Sequence, residues 1–310
     1  MKAGALHLGL PALLAVLGLT LPEYHQGNLA RIMVLAVYAG GYNLLFGYAG
    51  LLSLGHAMFF AAGLYGMGLA VRFWGLPPAS AFALGLAAGA ALAAGLGALA
   101  LRARGVAFMI VTLMFSQAIA LTILYFGDIT RGDEGFVLQP AQRQLWGIDL
   151  SQPDPRFWAA WALFSVTLLL ILWLVRRPFG KALVAIRENE ERTRMLGYDT
   201  YALKWRAVVI SGTLSAASGA AYGLLFGYVG ATFAGVQYSI LPLLWVLLGG
   251  AGTVAGPFLG TLFMFYLIDY ASGITSAYMM LAGLALVLLT LFAPGGLAGE
   301  VRRRWAGWLP

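Results

Sequence analysis

RRPFGKALVAIRENEERTRMLGYDTYALKWR, residues 176–206, is a polar interval between apolar segments long enough to cross a bilayer. It holds eight of the chain's 19 Lys and Arg residues against four acids, which leaves +4 on this interval alone. Lys181 to Leu196 reads as one helix closing at Gly197, the residue type suited to a C-terminus that needs positive φ. Arg187–Glu191, Glu188–Arg192 and Glu190–Arg194 are opposite charges four apart, neighbours on a helix surface. Leu183, Ile186 and Met195 or Leu196 supply a partial apolar edge. Two readings stand side by side. The basic residues hold a loop inside as a topology anchor, or the interval is a docking surface for a cytoplasmic partner.

The surrounding composition is that of a polytopic membrane protein. Of 310 residues, 61% are hydrophobic and 10% charged, whereas a soluble chain carries about a quarter charged residues. The net charge of +7 is explained by basic cytoplasmic loops and needs no nucleic acid. Cysteine is absent, which excludes disulfide and thiol chemistry, and the histidines at 7, 25 and 56 have no metal-ligand spacing.

Ten apolar segments follow in order: Gly4–Leu21, Leu29 to about Leu52, Ala57–Trp74, Pro78–Leu101, Val106–Phe126, Phe157–Val175, Ala207–Val229, Ile240–Leu248, Pro257–Tyr270 and Ile274–Phe292. Gly4–Leu21 lacks a small-x-small cleavage site after it and reads as a first helix, not a secretory signal. Residues 127–156 carry five acids against three basic residues, which places this loop outside. The segments 240–248 and 257–270 are shorter than a full crossing wants and flank LLGGAGTVAGP, so they read as broken helices. Six segments before the central loop and four after it put both termini, the Arg102–Arg104 turn and the 294–310 tail inside. The tail GEVRRRWAGWLP places Val301, Trp305 and Trp308 on one helical face, as in a helix lying in the interface, or it is an unstructured positive-inside tail. The whole chain, 1–310, is one transmembrane unit.

Small residues recur every four positions in Ala81, Gly85, Gly89, Ala93 and Gly97, and in Ser211, Ser215, Gly219, Gly223 and Gly227. Such stripes let backbones approach where lipid gives helices no hydrophobic drive to associate, so they read as packing faces. GYAGLLSLG (47–55) and GGAGTVAG (249–256) hint at an internal repeat, and glycine-interrupted segments at matching places are where transporters keep their pathway. Polar groups within the spans are few. Ser53, His56, Thr112, Ser116 and Gln117 are the pathway candidates, each also able to serve as an interhelical hydrogen bond. Asp269 reads as a solvated residue at a helix end.

The absences exclude classes. An ion-coupled carrier wants carboxylates or histidines deep in the bundle. An intramembrane hydrolase needs a base near a nucleophile or metal ligands. No GxxxxGK[ST] occurs, so this chain does not itself cradle ATP. What remains is a transporter subunit powered by another polypeptide, with a stand-alone ion-coupled carrier as the alternative.

GYAGLLSLGHAMFF (47–60), MIVTLMFSQ (109–117) leading to ITRGDEGF (129–136), AIRENEERTRMLGYDTYALKWRAVVISG (185–212), VLLGGAGTVAGPFLG (246–260) and LFAPGGLAG (291–299) resemble the LivM-type permeases of branched-chain amino acid ABC importers. Urea permeases are closely similar. The resemblance implies an all-α permease of the bacterial inner membrane, with no cofactor of its own and ATP and magnesium on its partners. Those partners are a homologous permease, two cytoplasmic ATPases and a periplasmic binding protein. It also implies that Arg187, Glu188, Asn189, Glu190, Arg194, Leu196 and Gly197 contact an ATPase. Where the family carries Thr-Gly-Gly and small polar residues, this chain has Thr130-Arg131-Gly132-Asp133-Glu134, so Arg131, Asp133 and Glu134 add three charges to the outer loop.

Overall fold

The computed structural model describes residues 2–275, 277–292 and 295–304. The chain is all-α. Helix α1 (Lys2–Thr20) leads to α2 (Glu23–Asn43), which ends in a π turn over Leu44–Tyr48. Then come α3 (Ala57–Trp74), α4 (Pro78–Ala100), α5 (Val106–Tyr125) and the short α6 (Gly127–Thr130). The long α7 (Pro153–Arg176) delivers the chain to α8 (Pro178–Glu188) and α9 (Glu190–Met195), and α10 (Thr200–Phe226) returns it. The last elements are α11 (Val236–Gly249), α12 (Gly256–Ile274), α13 (Tyr278–Phe292) and α14 (Gly296–Arg304). Three two-residue strands, β1 (Phe136–Val137), β2 (Gln144–Leu145) and β3 (Ile148–Asp149), lie in the 127–156 loop, and a fourth, β4 (Tyr228–Val229), follows α10. β1 pairs with β4 and so ties that loop to the end of α10, while β2 and β3 form a hairpin.

Among the described residues, seven helices are long and apolar enough to cross a membrane: α2 with its π turn, α3, α4, α5, α7, α10 and α12. α1, α11 and α13 are apolar and coincide with three further segments expected from the sequence, and α11 has only fourteen residues. At 1.5 Å per residue it covers about 21 Å, short of the ~30 Å hydrocarbon core. α12, by contrast, runs to Ile274 and is long enough to span, a correction to the short segment expected at 257–270. Asp269 consequently sits inside α12, where it accepts a hydrogen bond from the Tyr24 hydroxyl at 2.8 Å.

α2, α3 and α10 are mostly buried, and α4, α5, α7 and α12 turn most of their surface outward. Both small-residue stripes face inward and pack α3, α4 and α10 against one another. A Cβ on Gly63 or Gly219 would collide with the carbonyl of Ala216 or Phe60, and one on Gly89 with the Ala216 methyl. Gly63→Ala is therefore expected to push α3 off α10, at the ~1–3 kcal/mol typical of overpacking. Gly95→Ala, on an open face of α4 with nothing nearby, is expected to leave the thermal unfolding midpoint in detergent unchanged. Equal midpoints for the two variants would refute this packing account.

The single helix expected over 181–196 is two helices. Asn189 adopts extended backbone (φ −162°, ψ 104°), ends α8, and its side chain accepts the Arg192 N–H at 2.8 Å as the N-cap of α9. An Asn cap followed by Glu190 and Glu191 in the first turn is a helix start, and here it prevails over continuation from Glu188. Arg187–Glu191 and Glu188–Arg192 fall across this break. Of the three expected pairs, Glu190–Arg194 forms, at 3.4 Å. Gly197 has φ +87° and closes α9 as expected. Trp305 and Trp308, the core of the expected tail face, lie outside the described residues.

Candidate functional site

The polar loop converges with both glycine interruptions. Pro178 starts α8, whose Ala182, Leu183 and Ile186 are buried, Leu183 in a cluster with Leu44, Tyr48, Phe108 and Val208. Arg187, at the exposed end of α8, reaches back to the bundle, where its Nη1 donates to the Gly47 carbonyl in the π turn and lies against Gly252. Asn43 clamps the same place from α2. Its Nδ2 donates to the Thr253 carbonyl and its Oδ1 accepts the Gly252 N–H, both at 2.9 Å. Gly50 (φ +70°) and Gly252 (φ +75°) take left-handed backbone that other residues adopt at a cost. The two similar stretches, 47–55 and 249–256, are thus one joint, with Asn43 and Arg187 as its pins.

α9 hangs from this joint. Glu190 meets Lys204 of α10 at 2.6 Å, and Lys204 is itself buried. Burial alone would raise the Glu190 carboxyl, but the Lys204 ammonium, with Thr200 and Arg104, holds it below the ordinary carboxylate value. The tether is therefore fully present above the ordinary pKa near ~4.3 and is lost only as pH falls through the lower folded value. Beyond it Met195 is 85% and Leu196 72% exposed, with Tyr198 half exposed. Glu188 is exposed as well. Apolar side chains bared beside a charged loop, outside the spans, have the character of a contact surface.

A second convergence lies at mid-depth. Residues 49–56 and 227–235 are largely non-helical and run into the bundle, so α3 and α11 begin inside it. Halfway along α5 the Ser116 hydroxyl meets that of Ser239 at 3.5 Å, and Ser239 Oγ accepts the Ala57 N–H at 3.1 Å. His56 Nε2 lies 2.7 Å from Ser211 Oγ, which donates to the Gly41 carbonyl at 2.6 Å. That donation fixes the His56 Nε2 as the N–H donor, and its Nδ1 has no partner. Thr112 accepts the Leu54 N–H at 3.2 Å, and Ser53 carries the Gly55 N–H and, through its carbonyl, the Tyr42 hydroxyl. Tyr38 donates to the Tyr238 carbonyl at 2.8 Å. Irregular backbone at membrane depth persists only where side chains satisfy it or where it lines a cavity, and here side chains satisfy it. Beside this network, α2, α11 and α12 enclose a groove. The groove walled by Leu35, Tyr238, Leu241, Trp245 and Phe265 has a volume of about 700 Å³.

Of the expected pathway set, Ser53, His56, Thr112 and Ser116 come together as one buried network. Gln117 sits beside them, half-buried, with its Nε2 unpartnered. Arg131, Asp133 and Glu134, in the 127–156 loop, are exposed, and Arg131 caps α6 at φ +64°. Sequence reading missed Asn43, Tyr38, Tyr42 and Ser239. A lone Asn just ahead of a glycine interruption was the available signal for the first. The tyrosines look like ordinary span residues until the non-helical segments are seen to end against them.

A family model described as branched-chain amino acid transport system / permease component matches residues 26–291. The chain is 27% identical over 300 residues to the high-affinity branched-chain amino acid transport system permease protein LivM of Escherichia coli, covering 89% of this chain and 70% of that protein. Its Salmonella typhimurium counterpart is 27% identical over 293 residues, 87% and 69% of the two chains. A probable branched-chain amino acid transport permease protein LivM of Methanocaldococcus jannaschii is 30% identical over 210 residues, 62% of this chain and 59% of that one. No solved structure matches.

Proposed function

This chain belongs to the branched-chain amino acid transport permease family, and on that footing we propose that it is the LivM-type half of an ATP-driven importer for branched-chain amino acids or a similar small zwitterionic or amide solute. Its partners are a homologous permease, two cytoplasmic ATPases that bind ATP and magnesium, and a periplasmic binding protein. The 176–206 loop and both termini face the cytoplasm of a bacterial inner membrane, and the 127–156 loop faces out. Arg187, Glu188, Asn189, Glu190, Arg194, Leu196 and Gly197 form the coupling surface. Ser53, His56, Thr112, Ser116 and Gln117 belong to the pathway, and Arg131, Asp133 and Glu134 lie on the outer loop.

One observation carries the reading: Arg187 joins the loop available to a cytoplasmic motor to both helix interruptions at once. ATP binding in the partners displaces α9, α8 follows, and the joint at Gly47 and Gly252 changes the packing of α2 against α11 and α12. The substrate groove between those helices then opens alternately to each side, as alternating access about a fixed site requires.

The orientation is tested by labelling, and a chain without cysteine needs no background removal. Trp146→Cys, 87% exposed in the outer loop, is expected to react with a membrane-impermeant maleimide in intact cells. Met195→Cys is expected to react only after permeabilisation. The reverse pattern would invert the map. Thr193, equally placed in sequence, is buried against α8 and α10 and unsuited to the purpose.

A further inference from the structure

Three arginines at the end of the bundle opposite the polar loop have no part in the coupling account. Arg31 lies in α2, Arg156 in the first turn of α7, and Arg143 at the end of the 3-10 turn over Pro140–Arg143. They gather around the last turn of α10. The Arg31 guanidinium lies 5.0 Å from the Phe226 ring centre and that of Arg156 5.7 Å from the same ring. Arg143 Nη1 donates to the Leu225 carbonyl at 3.4 Å, and its guanidinium rests on Gly227. Arg156 donates to the Ser151 carbonyl and is close enough to feel the charges of Arg143, Arg31 and Asp149.

These groups are charged donors short of acceptors. Arg143 is only 8% exposed. The Nε of each of the three is buried and makes no hydrogen bond. Among the described residues no carboxylate forms an ion pair with any of them. Asp149, whose charge acts on Arg143 and Arg156, is engaged by the Ser151 N–H at 2.8 Å and by Gln152. Like charges gathered with unsatisfied buried N–H groups are costly and call for an anionic partner. Guanidinium forks match planar or tetrahedral oxyanions in two-point contacts.

We propose that Arg31, Arg143 and Arg156 form a binding site for a compact oxyanion, a carboxylate or a phosphate, at the outer mouth of the bundle. The transport reading supplies one source, the carboxylate of the arriving solute. The other is the phosphate of an outer-leaflet phospholipid.

The test uses the full chain in a sugar detergent, with thermal unfolding followed as inorganic phosphate or acetate replaces chloride at constant ionic strength. Wild type is expected to show a saturable rise in midpoint. Arg31→Gln and Arg143→Gln are each expected to weaken the apparent affinity at least tenfold, while Arg143→Lys keeps most of it. No saturable response in wild type, or wild-type affinity in both Gln variants, overturns the site. Two further arms separate the sources. A response to leucine but not to leucinol, its carboxylate-free analogue, assigns the site to the solute. Phospholipid that co-purifies with wild type and is lost from Arg31→Gln by mass spectrometry assigns it to the membrane. None of these readouts uses transport, so the site stands or falls separately from the importer reading.

Discussion

Leu196→Asp is expected to reduce ATPase co-purification and substrate-stimulated ATP hydrolysis roughly 30-fold while the permease stays folded and inserted. Leu196 is 72% exposed and follows the last turn of α9, so a carboxylate there meets water in the isolated chain and costs the fold little. In a complex the same side chain is desolvated against a partner, where hot-spot residues are worth about 2 kcal/mol or more, and 2 kcal/mol corresponds to that factor. Met195→Asp has the same basis and is expected to behave alike. Normal hydrolysis in both variants would reduce α9 to a topology anchor.

Arg187→Ala is expected to separate binding from work. The α8 face that seats the loop (Ala182, Leu183 and Ile186) is untouched, so ATPases still assemble and still hydrolyse ATP. What is lost is the donation to the Gly47 carbonyl and the contact with Gly252. A charge-assisted bond of this kind contributes ~1.5–3 kcal/mol, enough for a tenfold or greater fall in solute uptake per ATP consumed. Arg187→Lys keeps the charge but loses the planar fork, and an intermediate yield is expected. Uptake and hydrolysis falling in parallel would mean that Arg187 serves assembly instead.

Much of this fold is legible from hydropathy alone, because lipid forces backbone hydrogen bonds inside each segment and leaves a run of apolar residues as the trace. Seven of the ten expected segments coincide with described helices long and apolar enough to span, and small-residue spacing and glycine runs mark the packing faces and the interruptions. The break at Asn189 was less so. Charge spacing favoured one helix through 181–196, and the local competition between a cap and a continuing helix decided otherwise. That break also changes the meaning of Glu190. From sequence it is an acid paired with Arg194 and offered to a partner, and its reversal to Arg looks like a clean test of docking. In three dimensions it neutralises buried Lys204, so Glu190→Arg would strand that lysine, a loss of ~3–5 kcal/mol for broken buried pairs, and confound folding with coupling. The joint itself was half legible. GYAGLLSLG and GGAGTVAG announce themselves as similar, but nothing in the linear order places Gly47 against Gly252, with Asn43 and Arg187 between them. Pairings over some two hundred positions are set by packing, which one sequence does not display.

The central claim is that motion at the polar loop reaches both interruptions through Arg187. Spin labels on Leu51→Cys and Ala255→Cys, one beside each interruption, report it in the assembled complex through their distance distribution with and without a non-hydrolysable ATP analogue. In an otherwise wild-type permease the distribution is expected to shift when the analogue binds, and with Arg187→Ala it is expected to stay at the nucleotide-free position although the analogue is bound. The same shift in both would contradict the account.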